Sequence, residues 1–231
     1  KELALFKKYI QKRIEGFSAA AIIGKKEFMG LTLKVNEQVL IPRPDTETWL
    51  EKGIQYYRNE TGLKVADLGT GSGAILVGFL YYCRDAVGVG VDISTEALKI
   101  AEENGQNLKI TDRVEWRQGD YLKAFDEEDI FDGIFSNPPY IPTKDIGGLS
   151  REVKHEPRLA LDGGTDGLYF YHLLAKGAAE HLKSGGFLAV EFGIGQATDI
   201  LEMFRKSAQY EDFEVIKDYG GIERALYCRK K

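Results

Sequence analysis

The sequence predicts an α/β fold: a mostly parallel seven-stranded sheet with helices on both faces, preceded by a small N-terminal helix and a β-hairpin. Three observations predict it. From residue 64 onward, short apolar runs alternate with amphipathic segments, the order that packs helices on both faces of a parallel sheet. The first run, Lys64 to Leu68, passes directly into Gly69-Thr70-Gly71-Ser72-Gly73 and then into a helical stretch from Ala74 to about Tyr82. The last two runs lie close together across Gly220-Gly221, so the sheet needs one antiparallel partner.

Composition narrows the class. The 231 residues are 43% hydrophobic and 29% charged, which suits one large domain with a core and a small appendage. No run of about 18 apolar residues occurs, so no membrane-spanning helix is expected. The opening Lys1-Glu2-Leu3-Ala4 shows neither a signal-peptide pattern nor an initiator Met, so a trimmed or partial chain is expected. Cys83 and Cys228 form no Cys-x-x-Cys pair, which fits a reduced, cytoplasmic compartment. His155, His172 and His181 lack metal-ligand spacing, and no metal is expected. The net charge of −5 argues against a nucleic-acid partner. A monomer is expected.

Taken in order, residues 1 to about 24 place Leu3, Phe6, Ile10 and Ile14 at helical spacing among lysines, an amphipathic helix. Its apolar stripe is free to pack on the body or on a neighbouring domain. Leu31, Leu33 and Val35 then alternate with polar residues, and Val39-Leu40-Ile41 returns after Asn36-Glu37, which predicts a hairpin turning at Asn36-Glu37. Pro42-Arg43-Pro44-Asp45-Thr46-Glu47 opens the next helix, with Asp45 or Thr46 as its cap and Glu47 in the first turn. That chemistry leaves Arg43 unexplained. The helix buries Trp49, Leu50, Ile54 and Tyr57.

Strand, glycine loop and helix at 64–82 form the entrance to a Rossmann-like βαβ unit. Gly69, Thr70, Gly71, Ser72 and Gly73 let the backbone approach a ligand, and the helix N-terminus presents free N–H groups. The second strand, Val87 to Val91, ends at Asp92, with Ile93 beside it. An acid about 20 residues past the glycine loop is placed to accept from ribose hydroxyls of an adenosine-bearing ligand. A tight turn with Asp92 capping the helix near Thr95 is the alternative. Val114 to Arg117 is the third strand. In the loop after it, Tyr121 is suited to pack on an adenine or to join the core.

The fourth strand leads into Ser136-Asn137-Pro138-Pro139-Tyr140. Neither proline has an N–H to donate, so the chain leaves the sheet stiffly at Asn137. The Asn137 side-chain oxygen and the Pro138 carbonyl can each accept one N–H of a planar –NH2 group, with Pro139 beside them and Tyr140 on its π face. A strand that merely ends in a proline turn is the bland alternative. Residues 141–166 form a long polar stretch in which Glu156-Pro157 and Leu159-Ala160-Leu161 suggest an ordered wall. A helix is expected from Gly167 to Leu182, broken by Gly185-Gly186. Phe187 to Phe192 is the fifth strand, a helix follows around Ile200 to Phe204, and Phe213 to Ile216 and Ala225 to Cys228 close the sheet. In such sheets ligands sit beyond the carboxyl ends of the strands. The glycine loop and Asn137 share that rim, and they are neighbours if the fourth strand pairs beside the first.

Asp-Leu-Gly-Thr-Gly-Ser-Gly, Asp92 and Asn-Pro-Pro-Tyr together resemble class I S-adenosylmethionine-dependent methyltransferases that act on planar amino or amide nitrogens. Glu27-Phe28-Met29-Gly30-Leu31, Pro-Arg-Pro-Asp-Thr-Glu at 42–47, Glu156-Pro157 with Ala160-Leu161, Gly163-Gly164, Asp166-Gly167-Leu168 and Glu191-Phe192-Gly193 narrow the resemblance to the HemK/PrmC family. It runs from about residue 9 to the end. The resemblance implies S-adenosylmethionine as cofactor. It implies methylation of the glutamine amide in the Gly-Gly-Gln motif of class 1 peptide-chain release factors. It implies catalytic roles for Asn137, Pro138 and Tyr140, and cofactor contacts from Gly69 to Gly73, Asp92, Ile93, Tyr121 and Asn137. Substrate contacts are expected from Asn137, Pro138, Pro139, Tyr140 and Arg43. Family members usually carry an N-terminal helical domain that helps hold the release factor. Residues 1–24 are then expected to be its remnant, 25–45 a hairpin linker and 46–231 the catalytic domain.

Rival functions share parts of this pattern. A nucleic-acid amino-methyltransferase uses the same tetrapeptide but needs a flipped or single-stranded base. The roughly 45 residues before the catalytic domain are few for a base-reading module. A ribosomal-protein glutamine methyltransferase tends to differ at the Pro-Arg-Pro-Asp-Thr-Glu segment. A dinucleotide oxidoreductase needs Gly-x-Gly-x-x-Gly, whereas glycines 69, 71 and 73 alternate strictly. A non-catalytic adapter sits poorly with an intact Asn137-to-Tyr140 turn.

Overall fold

The computed structural model describes residues 2–231; Lys1 of the expected first helix lies outside them. Helix α1 (Glu2–Glu15) carries the predicted stripe, but Leu3, Phe6, Ile10 and Ile14 all face solvent rather than the body. Its C-terminal end is fastened instead. Arg151 donates to the carbonyls of Ile14 and Glu15 at 2.9 and 3.2 Å, and Phe17 stacks on His155 at 4.1 Å. Ser18 caps the short α2 (Ala19–Ile23), and Gly24, at φ 77°, ends it.

The hairpin is real but shifted from its expected position. Strands β1 (Lys25–Phe28) and β2 (Leu31–Lys34) pair antiparallel around Met29-Gly30. Both turn residues have positive φ, 53° and 70°, the backbone that matches the twist of a two-residue hairpin. The segment after Asn36-Glu37 forms no strand. Val35, Val39 and Ile41 are buried individually against Ala97 and Ile100, so an apolar run with gaps became loop anchors rather than a returning strand.

Helix α3 (Pro44–Tyr57) leads to the main sheet. Its strands are β3 (Lys64–Leu68), β4 (Val87–Asp92), β5 (Val114–Gln118), β6 (Phe131–Ser136), β7 (Leu182–Glu191), β8 (Tyr210–Lys217) and β9 (Glu223–Lys230). Their order is β5-β4-β3-β6-β7-β9-β8. The first five run parallel and β9 joins antiparallel on both sides, as the close final pair required. After the short α6 (Arg151–Lys154), the expected helix Gly167 to Leu182 is shorter: α7 spans Tyr169–Gly177, a 3-10 turn follows to His181, and Leu182 already belongs to β7. Gly185-Gly186 therefore lies within a strand whose register against β6 shifts, not at a helix break.

Alternation along the strands divides the core in two. Val65 and Phe135 face α3 and α4 (Ala74–Tyr82), packing with Trp49, Leu50 and Phe79. Ala66, Leu68 and Ile134 face the opposite side, where α7 and α8 (Ala197–Lys206) contribute Tyr171, Leu174, Ile200 and Phe204. α5 (Thr95–Asn107) packs beside α4 over β4 and β5. Among the described residues no helix is long and apolar enough to cross a membrane.

At Gly133 in β6, any Cβ would be driven into the Phe187 ring of β7. Gly133→Ala is expected to lower stability by about 1–3 kcal/mol through overpacking. Urea unfolding checks it; an unchanged midpoint would show that the Phe187 ring can move aside.

Candidate active site

At the end of β3 the chain reverses through Gly69, Gly71 and Gly73, all at positive φ (74°, 56° and 78°). The three glycines serve different contacts. A Cβ on Gly69 would lie 2.9 Å from the Tyr121 hydroxyl, and one on Gly73 would lie 3.0 Å from the Trp116 ring. A Cβ on Gly71 would meet nothing within 4 Å, so this backbone faces open space. Thr70 and Ser72 are buried and turned inward. Thr70 Oγ1 donates to Asp67 Oδ2 at 2.6 Å, and the Asn104 amide donates to the Ser72 carbonyl at 2.9 Å. They support the loop from behind.

Asp92, at the end of β4, braces the open glycine. Its carboxylate accepts from the Gly71 N–H at 2.8 Å and from the Ser94 N–H at 2.9 Å. Burial raises its pKa, and these backbone donors pull it back. Ser94, not Asp92, caps α5, accepting from Ala97 N. A cavity of about 260 Å³ opens over this rim, lined by Gly69, Gly71, Asp92, Ile93, Tyr121 and Asn137. Pro139 also reaches it. The Tyr121 ring stacks on Phe170 at 4.5 Å, and its hydroxyl is buried without a partner. Asp67 Oδ1 is likewise buried and unpaired. Burial, chiefly, pushes the Asp67 carboxyl up to about 7, with the Asp92 charge adding and Thr70 opposing.

β6 delivers Asn137 to the same rim because it pairs beside β3, with Ser136 opposite Leu68 and its hydroxyl donating to the Leu68 carbonyl at 2.8 Å. Pro138 and Pro139 are buried; Asn137 and Tyr140 are half-buried. Asn137 also lines a second cavity of about 230 Å³, shared with Arg43, Tyr140, Leu149, Val153 and Leu161. Leu40 and Ala160 border both cavities, so these two residues and Asn137 stand where the spaces meet. Burial pushes the Tyr140 phenol up to about 12, and the Glu191 charge adds to it.

Glycines back this turn. A Cβ on Gly163 would lie 2.7 Å from the Pro139 carbonyl, and one on Gly193 would lie 3.0 Å from the Tyr140 ring. Gly167 presses on the Tyr140 carbonyl in the same way. The glycines of three separate sequence motifs thus have one cause, the close approach of the proline turn.

The segment before α3 has more to do than start a helix. Arg43 occupies the N-cap position without a side-chain cap bond, and Pro44 is the first helical residue. Neither Asp45 nor Thr46 caps it, because the helix already begins at Pro44, before either of them. Asp45 pairs with Arg224 at 2.9 Å. Thr46 Oγ1 and Trp49 Nε1 both donate to Glu191 Oε2, at 2.6 and 2.7 Å. Arg43 donates to Glu156 Oε1 at 2.6 Å, while Glu156 Oε2 accepts from Ile41 N at 3.2 Å. Burial raises the pKa of both glutamates.

Of the residues singled out from sequence, one cavity gathers Gly69, Gly71, Asp92, Ile93, Tyr121, Asn137 and Pro139, and the other gathers Arg43, Asn137 and Tyr140. Thr70, Ser72, Gly73 and Pro138 stand behind these linings. Sequence reasoning missed Val39, Leu40 and Phe170 as lining residues, and it took Asp67, which supports the loop through Thr70, only as the first letter of the glycine-loop motif. Asp67 had a signal, its place two residues before the first glycine; the others had none, because they reach the site from loops and a helix distant in sequence. The buried partners Glu156 and Glu191 were noticed only as motif letters.

The lining suits an adenosine-bearing sulfonium cofactor. The open Gly71 backbone leaves room for it, Asp92 stands at the strand end, and one buried polar atom of a lining residue, the Tyr121 hydroxyl, lacks a partner. Among the described residues no cluster of His, Cys, Asp and Glu stands ready for a metal ion.

A seven-stranded sheet of this order, with a glycine loop and an acid on adjacent strand ends, defines a Rossmann-like methyltransferase. A family model described as a methyltransferase domain matches residues 59–159. A solved methyltransferase from Pyrococcus furiosus has the same fold, with a TM-score of 0.62 at 20% identity over 87% of this chain and 89% of that one. The release factor glutamine methyltransferase of Bradyrhizobium diazoefficiens is 42% identical over 99% of this chain and 78% of its own. That of Moorella thermoacetica is 40% identical over 96% and 78%. The chain belongs to the release factor glutamine methyltransferase family, and it is an enzyme.

The buried Asp67 holds its proton to a higher pH when folded than when unfolded, so its contribution to stability is full below about pH 4 and is lost as pH rises toward 7. Asp67→Asn is therefore expected to gain stability relative to wild type between pH 4.5 and 7.5, by up to a few kcal/mol. Urea unfolding at both pH values tests this; a difference independent of pH would refute it.

Proposed function

We propose that this enzyme methylates the side-chain amide nitrogen of the glutamine in the Gly-Gly-Gln motif of class 1 peptide-chain release factors, in the cytoplasm, with S-adenosylmethionine as methyl donor. The observation that carries this proposal is the meeting of two cavities at Asn137. One, floored by Gly71 and Asp92, has the lining for the cofactor. The other, between Arg43, Tyr140 and Val153, offers an approach for a protein segment to the same amide. On this proposal residues 46–231 are the catalytic domain, 25–45 a linker, and 1–24 the end of a helical substrate-binding domain.

When bound, the cofactor supplies an electrophilic sulfonium methyl group. A carboxamide nitrogen is a weak nucleophile because its lone pair is delocalised into the carbonyl, so the chain's task is positioning. The Asn137 side-chain oxygen and the Pro138 carbonyl each accept one N–H of the target amide and fix its plane. Both acceptors also stabilise positive charge as it develops on that nitrogen, where the new N–C bond would replace the S–CH3 bond and leave S-adenosylhomocysteine; the cationic N-methyl amide would then give up one of its two N–H protons to solvent. Tyr140 packs on the amide face, its phenol kept neutral by burial. Asp92 accepts from the ribose hydroxyls while remaining braced on Gly71. Arg43, held by Glu156, keeps free guanidinium N–H groups for carbonyls of the substrate backbone.

The deciding experiment transfers labelled methyl from S-adenosylmethionine to a purified release factor, beside a control whose motif glutamine is alanine. Label on the factor and none on the control supports the proposal; equal label on both overturns the target assignment. Asn137→Ala is expected to lower turnover about 10²-fold or more, and near-normal turnover would remove Asn137 from the mechanism. For Asp92→Ala the expected loss is in cofactor affinity, read by calorimetry, since the ribose acceptor and the Gly71 brace disappear together.

A further inference from the structure

The Asn137-to-Tyr140 turn has an unusual mechanical problem. Its two prolines have no N–H, so the turn cannot be tied down through backbone donors at its centre. On its entry side β6 holds it, paired with β3 and β7 up to Ser136. On its exit side Ile141 bonds to the Leu161 carbonyl through its N–H at 3.0 Å. Between these anchors the two prolines contribute carbonyls but no N–H, and the Tyr140 carbonyl that follows them is met by a donor from another loop.

Gln196 is that donor. Its Nε2 donates to the Tyr140 carbonyl at 3.0 Å and, more weakly, to the Gly167 carbonyl at 3.4 Å. Its Oε1 accepts from the Gly193 N–H at 2.8 Å, which fixes which end of the amide faces Tyr140. The residue stands at the N-cap of α8, but its side chain makes no cap bond to that helix. Gln196 thus spends its whole amide on joining two loops. Gly193 lacks the Cβ that would collide with both Gln196 Oε1 and the Tyr140 ring. The β7–α8 loop is shaped around this contact.

We propose that Gln196 is a positioning residue for methyl transfer: it sets the Tyr140 carbonyl, and through it the orientation of the Asn137 and Pro138 acceptors, without touching substrate or cofactor. The proposal rests on the assignment of Asn137 and Pro138 as the acceptors of the target amide. It lines neither cavity, so its effect is on the alignment of bound groups and not on their affinity. Displacing reacting groups by a fraction of an ångström to an ångström costs rate steeply, about 10²-fold at the upper end.

The test separates positioning from folding. Gln196→Glu keeps the length and the acceptor for Gly193 N, but a carboxylate cannot donate to the Tyr140 carbonyl. A negative charge at the N-cap of α8 is favourable to that helix and offsets part of the cost of facing the Tyr140 carbonyl, and the unfolding midpoint is measured beside kcat to confirm that the variant is folded. Its kcat for a release factor is expected to fall by about 10- to 100-fold, with KM and cofactor affinity unchanged. Gln196→Met, which neither donates nor accepts, should show the same fall in kcat together with a lower unfolding midpoint. Wild-type kcat in Gln196→Glu overturns the proposal, as does a loss that appears in KM or in cofactor affinity instead. Absence of methyl transfer by the wild-type protein itself would overturn the functional assignment, a separate result.

Discussion

The parallel pairing of β3 with β6 is the constraint on which the rest of the molecule depends. Each strand alone ends in a loop of ordinary appearance, one of glycines and one of prolines. Pairing Leu68 with Ser136 brings both ends to the same edge of the sheet at strand spacing. The open Gly71 backbone, the Asp92 carboxylate from the neighbouring β4 and the Asn137 amide then face a common space. A register slip of one residue would turn Val65 and Ala66 to the wrong layers, so the two-sided core enforces the alignment that the site needs.

The second organising feature is the pair of buried glutamates that pin the start of α3. Glu191 receives Thr46 and Trp49, and Glu156 receives Arg43 and the Ile41 N–H. Each carboxylate is nearly enclosed, and burial works against its charge, so each needs its donors to stay ionised. The donors come from one short stretch, Ile41 to Trp49, and the acceptors from strand and wall segments more than a hundred residues later. The stretch therefore ties the wall of the second cavity to the end of β7. Rigidity here has a chemical purpose, because an uncharged amide nucleophile responds to orientation more than to any base the site offers.

A similar economy runs through the glycines. Gly163, Gly167 and Gly193 belong to three separate motifs, yet each is small for the same reason: the proline turn passes too close for a Cβ. Proline makes the turn stiff and also removes its donors, and the surrounding loops compensate by approaching closely and by supplying an amide from Gln196.

Much of this was legible in the sequence, and the boundary follows from physics. Local chemistry determined the glycine loop, the acid at the end of β4, the stiff proline turn after Asn137 and the alternation of strands and helices, because each depends on residues adjacent in the chain. Family resemblance extended that to the reaction. The hairpin turn was misplaced because an apolar run with gaps reads as a strand whether its side chains pair across a ladder or, like Val39 and Ile41, pack from a loop into a cluster with Ala97 and Ile100. The helix start was misplaced because Pro44 opens the helix ahead of Asp45 and Thr46, whose side chains turn to Arg224 and Glu191 instead of capping it. Partnerships of that kind carry no local signal. Only tertiary structure decided that Arg43 meets Glu156, that Asn137 stands between two cavities and that Gln196 holds Tyr140, since each contact spans dozens of residues and exists only once the sheet has brought its strand ends together.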